Sequence, residues 1–73
     1  MTNIKVCSEI TGAVWKILVI EGQEVEEDET LMILESMKME IPVDAPEDGV
    51  VTSIKVKEGA EIAEGEIVCM MDV

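Results

Sequence analysis

Apolar residues alternate with polar ones along several short stretches of this chain, and the stretches come in pairs. Ala13 to Ile20 and Val50 to Lys57 are rich in β-branched residues, which suit a pleated, half-buried surface. A second pair of strands is expected from Thr30 to Leu34 and from Ile67 to Met71. Turns separate them at Glu21-Gly22 and Glu58-Gly59, where glycine can take a positive φ, and at Glu64-Gly65. The counterpart of that last turn is Glu27-Asp28, whose aspartate enters the left-handed region less cheaply than glycine. Pro42 lies in an otherwise strand-like stretch, which predicts an edge strand or a strand start, and Pro46 to Gly49 reads as a turn. The longest helical candidate, Val25 to Met39, lacks a 3.6-residue period and is divided by the turn at Asp28. The pattern is all-β.

Shifting the sequence by 37 positions lays Thr11–Glu35 over Asp48–Asp72 without a gap, with nine identities in 25 positions. This biased composition would give roughly two or three by chance, so the chain is an internal repeat with halves of about 4–35 and 41–72. Neither half can bury an apolar face alone. The expected solution is a single domain over 1–73, a flattened barrel or sandwich with pseudo-twofold symmetry. The repeat also places residue 38. Moved by 37, it falls on position 1 in one direction and just beyond position 73 in the other, so it is the symmetry mate of the chain ends. A hairpin there is expected to project from the opposite pole.

Composition narrows the function. The chain has 73 residues and a formal charge of −12, with no histidine, no arginine and a single tryptophan. That length is near the lower limit for a self-sufficient core and leaves no room for a scaffold plus a deep substrate cleft. Missing histidine removes the commonest general base and metal ligand. Five lysines against 17 acidic residues exclude nucleic acid as a partner and oppose binding to anionic membrane surfaces. No apolar run is long enough to cross a bilayer and the N-terminus carries no signal-peptide pattern, so a cytoplasmic location is expected. The short length and missing histidine predict a chain that is not an enzyme by itself, and a monomer is expected. Cys7 and Cys69 are too few for a zinc or redox motif and read as reduced packing residues. Trp15, whose repeat mate is Thr52, reads as a partly exposed packing residue, and the acidic run from Glu21 to Glu29 as a solvated turn.

The segment at the expected pole is Glu35-Ser36-Met37-Lys38-Met39-Glu40. Lys38 read alone is an ordinary solvated lysine, and Met37 and Met39 alone are flexible core filler. At a tight hairpin tip, however, the three cannot all point inward, and a lysine held between two apolar side chains becomes a presented amine.

Glu35 to Met39 resembles the biotin-attachment signature of biotin carboxyl carrier domains, usually E-A-M-K-M. The likeness continues through Ile41-Pro42-Val43-Asp44-Ala45-Pro46 and into Gly49, Val56, Glu58 and Gly59. The family's fold is a flattened barrel of two four-stranded antiparallel sheets. The resemblance implies that Lys38 receives biotin from a biotin protein ligase. It implies too that Met37 and Met39 serve ligase recognition and carboxylation of the attached group, and that Glu35 opens the motif. Biotin carboxylase and carboxyltransferase subunits are the implied partners. With no histidine in the chain, deprotonation of the amine falls to the ligase. Ser36 departs from the usual alanine and adds a hydroxyl. The proline common before Gly12 is absent, which leaves the course of the first strand open, and no insertion corresponds to the protruding thumb of some carriers. Lipoyl domains share the architecture but usually place Asp before the lysine and Ala or Val after it. The two methionines therefore favour biotin over lipoate, and an unmodified acidic interaction module stands as a third reading.

Overall fold

The alternating pattern produces eight short strands in a computed structural model that describes residues 2–73. They are β1 (Asn3–Cys7), β2 (Gly12–Ile17), β3 (Glu24–Val25), β4 (Thr30–Ser36), β5 (Met39–Asp44), β6 (Gly49–Ile54), β7 (Glu61–Ile62) and β8 (Ile67–Asp72). Two four-stranded antiparallel sheets result, in the orders β1-β8-β6-β3 and β5-β4-β2-β7. Under the 37-residue shift β1 maps onto β5, β2 onto β6, β3 onto β7 and β4 onto β8. Each sheet therefore takes two strands from each half. The halves interlock instead of lying face to face as separate layers.

Burial follows the same symmetry. Val6/Val43, Ser8/Ala45, Val14/Val51, Val25/Ile62, Leu31/Val68, Met32/Cys69 and Leu34/Met71 are all buried in both halves. These inward positions make the core between the sheets, and alternation leaves their neighbours outside except at Leu31-Met32 and Val68-Cys69, where two consecutive residues are buried, the first pair beside a register shift between β4 and β5. Backbone bonds repeat as well. The Gly22 amide donates to Val51 O at 2.6 Å and the Gly59 amide to Val14 O at 2.7 Å. The Glu58 carboxylate accepts from the Ile17 amide at 3.0 Å, and the Glu21 carboxylate from the Ile54 amide at 2.9 Å.

Those two carboxylates mark where the expected strands stop. Ala13–Ile20 and Val50–Lys57 end as strands at Ile17 and Ile54, because each leaves the ladder after one further bond, Leu18 N to Leu31 O and Lys55 N to Val68 O. The Thr30–Leu34 strand instead runs on to Ser36. Pro42 sits on β5, an edge strand, where its missing N–H costs no ladder bond. The turn pair behaves as its chemistry predicts: Asp28 and Gly65 both take positive φ, 69° and 86°. Trp15 is 44% exposed, at the bulge between Val14 and Lys16, with the Lys16 ammonium 5.1 Å from its ring centre.

One expectation is corrected. Cys69 is buried, but Cys7 is exposed; both are free thiols. With Val6 and Ser8 turned inward, strand alternation sends Cys7 outward, and that outweighs the usual preference of cysteine for the interior. Burial pushes the Cys69 thiol from 9.0 up to about 11. A disulfide-exchange reagent at pH 8 is therefore expected to react with one thiol in the folded chain and with two only after denaturation. Because the folded thiol ionises later than the unfolded one, its contribution to stability is complete below pH 9. It is lost as pH rises from about 9 to about 11, which a melting series across that range would register.

Candidate functional site

β4 and β5 form a hairpin whose last paired residues are Ser36 and Met39. Only Met37 and Lys38 remain between them. Both have positive φ, 50° and 65°. Positive φ at both central positions marks a two-residue hairpin turn of type I′, one of the two types whose twist matches that of the flanking strands. The favoured residues there are asparagine and glycine. A methionine and a lysine in that region cost on the order of 1–2 kcal/mol each, so the surrounding ladder holds them where they would not settle unaided.

The turn puts its side chains into solvent. Met37 is 91% exposed and Met39 63%, and Lys38 is exposed between them. The methionines are not core filler. Glu35, also exposed, faces Glu40 across the ladder, a like-charge pair that favours open solvent over packing. Ser36 is half-buried, and its hydroxyl donates to the Thr11 carbonyl at 3.0 Å. All five residues singled out in the sequence thus fall on one hairpin.

The hairpin stands where the repeat places it. Its base touches Thr11, just before β2, and Ala13 on β2, which pairs in turn with β7, and Thr11 bonds the turn that follows β7. Thr2 and Val73 exchange backbone bonds with each other, and β1, β8, β6 and β3 meet at that end through Asn3, Asp72, Val50 and Glu24. The body is 36 Å long and 17 Å across, and the two clusters occupy its opposite ends. The missing proline before Gly12 does not unsettle β1. Buried Ser8 donates to the Ile10 carbonyl at 2.6 Å and accepts from the Ile10 amide at 3.2 Å, which turns the chain towards β2.

Sequence reasoning missed Thr11 as a support of the hairpin. The signal was present: its repeat mate, Asp48, is also a short side chain with an acceptor oxygen, and it takes the Glu27 amide at 2.7 Å as Thr11 takes the Glu64 amide at 3.1 Å. A groove of about 450 Å³ between the edge strands β1 and β5 is lined by residues such as Val6, Ile10, Leu34 and Pro42, and it excludes the turn residues. A shallower pocket at the foot of the hairpin is lined by Thr11, Gly12, Ala13 and Glu35, and it too leaves out Met37, Lys38 and Met39.

An exposed amine at the tip of a β-hairpin suits a domain that carries a covalently attached group. The comparisons agree. The family model described as "Biotin-requiring enzyme" matches residues 4–71. The chain belongs to this family and is a biotin/lipoyl attachment domain. It is 42% identical over 59 residues to the biotin/lipoyl attachment protein of Bacillus subtilis, covering 81% of each chain. It is 40% identical over 62 residues to the dihydrolipoyllysine-residue acetyltransferase component of the Pseudomonas aeruginosa pyruvate dehydrogenase complex, covering 85% of this chain but 11% of that one. Urea carboxylase of Kluyveromyces lactis contains the same architecture, with a TM-score of 0.92 and 32% identity over 99% of this chain and 6% of that one.

Proposed function

We propose that this chain is a biotin carrier, loaded on Lys38, that serves a biotin-dependent carboxylase in the cytoplasm. The observation that carries the reading is the strained two-residue turn, which presents the Lys38 amine between two exposed methionines. The residues fit the group: a primary amine in open solvent can enter a ligase active site without rearrangement of the body. In the ligase, the deprotonated Lys38 amine would attack the acyl carbon of biotinyl-adenylate, made there from biotin and ATP, forming the amide as AMP leaves and a proton is lost from Nζ. Attached biotin would supply the nitrogen that takes up a carboxyl group at a biotin carboxylase and yields it at a carboxyltransferase.

The chain's own residues do the rest. The paired strands β4 and β5 keep the tip stiff, so a long arm sweeps a defined volume and the effective concentration at both partner sites stays high. Met37 and Met39 offer flexible, polarisable surface beside the amine, which suits a site that must meet a ligase and two enzymes in turn. The formal charge of −12 keeps a small domain soluble as it moves. A lipoyl carrier is the second reading, supported by the likeness to the acetyltransferase component and opposed by methionine on both sides of Lys38.

Intact-mass measurement of the protein from its own host decides between them. A biotin-sized increment located on the Lys38 peptide is expected. A lipoyl-sized increment would move the assignment to the second reading, and an unchanged mass would remove both.

A further inference from the structure

Three separate stretches meet at the loaded end of the body, and two hydroxyls join them. The Ser36 hydroxyl, at the end of β4, donates to the Thr11 carbonyl at 3.0 Å. The Thr11 hydroxyl accepts the Glu64 amide, in the turn between β7 and β8, at 3.1 Å. The hairpin, the β1–β2 loop and the β7–β8 turn are thereby linked in series. At the other end the repeat supplies only half of this arrangement. Asp48 takes the Glu27 amide as Thr11 takes that of Glu64, but the mate of Ser36 is Val73, which has no hydroxyl. The Ser36–Thr11 bond has no symmetry-related copy. It occurs where two non-glycine residues are held at positive φ, one position before Met37.

We propose that Ser36 is a positioning residue for Lys38, an inference that rests on the carrier reading above. Its bond ties the foot of the strained turn to the body, so the ligase meets one arrangement of the amine. Without the bond, Met37 and Lys38 relax part of the time towards negative φ, and only a fraction of molecules present a competent tip. The apparent affinity for the ligase falls by that fraction, whereas the chemical step, once the tip is seated, does not change. The loss of one hydrogen bond corresponds to a rise in KM of about 2- to 10-fold with kcat unchanged.

The test uses Ser36→Ala, Ser36→Thr and Ser36→Val in the full chain. Threonine and valine have the same shape, and only threonine keeps the donor. Loading by a biotin protein ligase with ATP and biotin gives KM and kcat. The HN–Hα couplings of Met37 and Lys38 and the exchange rate of the Met39 amide report the turn itself. Alanine and valine are expected to raise KM, leave kcat, shift both couplings and speed exchange, and threonine to restore all four. Equal behaviour of threonine and valine, or an alanine variant with unaltered couplings and KM, would overturn the proposal. If the wild-type chain were not loaded, the carrier reading would fail, and so would a role in loading for Ser36. The couplings would then still show whether Ser36 holds the turn.

Discussion

Lys38→Arg is expected to remove covalent loading completely while changing stability by less than about 0.5 kcal/mol. Arginine keeps the charge and the length of the side chain, so the exposed turn has no reason to unfold. Its guanidinium stays protonated, however, and cannot attack an acyl carbon. Exposure does not select this lysine: Lys5, Lys16, Lys55 and Lys57 are exposed too. What separates Lys38 is its place inside a two-residue turn at the end of a 36 Å body, whereas Lys5 and Lys16 lie within β1 and β2 and Lys55 and Lys57 follow β6. The double variant Lys38→Arg, Met39→Lys tests this directly. It moves the amine one residue, onto the first position of β5, where the side chain leaves from the ladder instead of the turn. No mass increment is expected in either variant. Loading of the double variant at the wild-type rate would mean that the ligase reads a nearby lysine and not the turn geometry.

Much of this architecture was legible because the chain states it twice. A buried position in one half predicts a buried position 37 residues on in seven of eight cases, buried Val19 with half-buried Val56 being the exception. The pole followed from the same shift, without any knowledge of strand order. Other features leave too little pattern in the sequence. β3 and β7 are two residues long, and neither length nor alternation marks a strand that short. At Cys7 the alternation of its neighbours outweighs the habit of cysteine. The turn was the deepest omission. Met37 and Lys38 carry none of the glycine or asparagine that announces positive φ, so the chain shows where the tip is but not its shape. That silence has a physical origin. Turn residues chosen for conformation would leave no room for the amine and its apolar neighbours, and the strain is carried by the paired strands.

Gly12→Ala and Gly49→Ala are expected to destabilise the fold by similar amounts, and only the first should also impair loading. The two glycines are repeat mates. A side-chain carbon on Gly12 would run into the carbonyl oxygen of Glu35, and one on Gly49 into that of Asp72. In each case the obstacle is backbone, which cannot swing aside as a flexible side chain would, so a strand must pull away from its neighbour. Forced overpacking of this kind costs about 1–3 kcal/mol. In a chain of this size that lowers the melting temperature by roughly 4–8 °C per kcal/mol. The consequences diverge with position. Gly12 lies against Glu35 and Ser36, at the foot of the hairpin, so the displaced strand carries Lys38 with it and breaks the Ser36–Thr11 bond. Gly49 lies against Asp72 and Val73, at the far end. Thermal melts of the two variants should therefore fall together, while ligase KM, measured well below either melting temperature, should rise for Gly12→Ala alone. A rise in both would show that loading follows overall stability. A rise in neither would show that the ligase rebuilds the tip on contact.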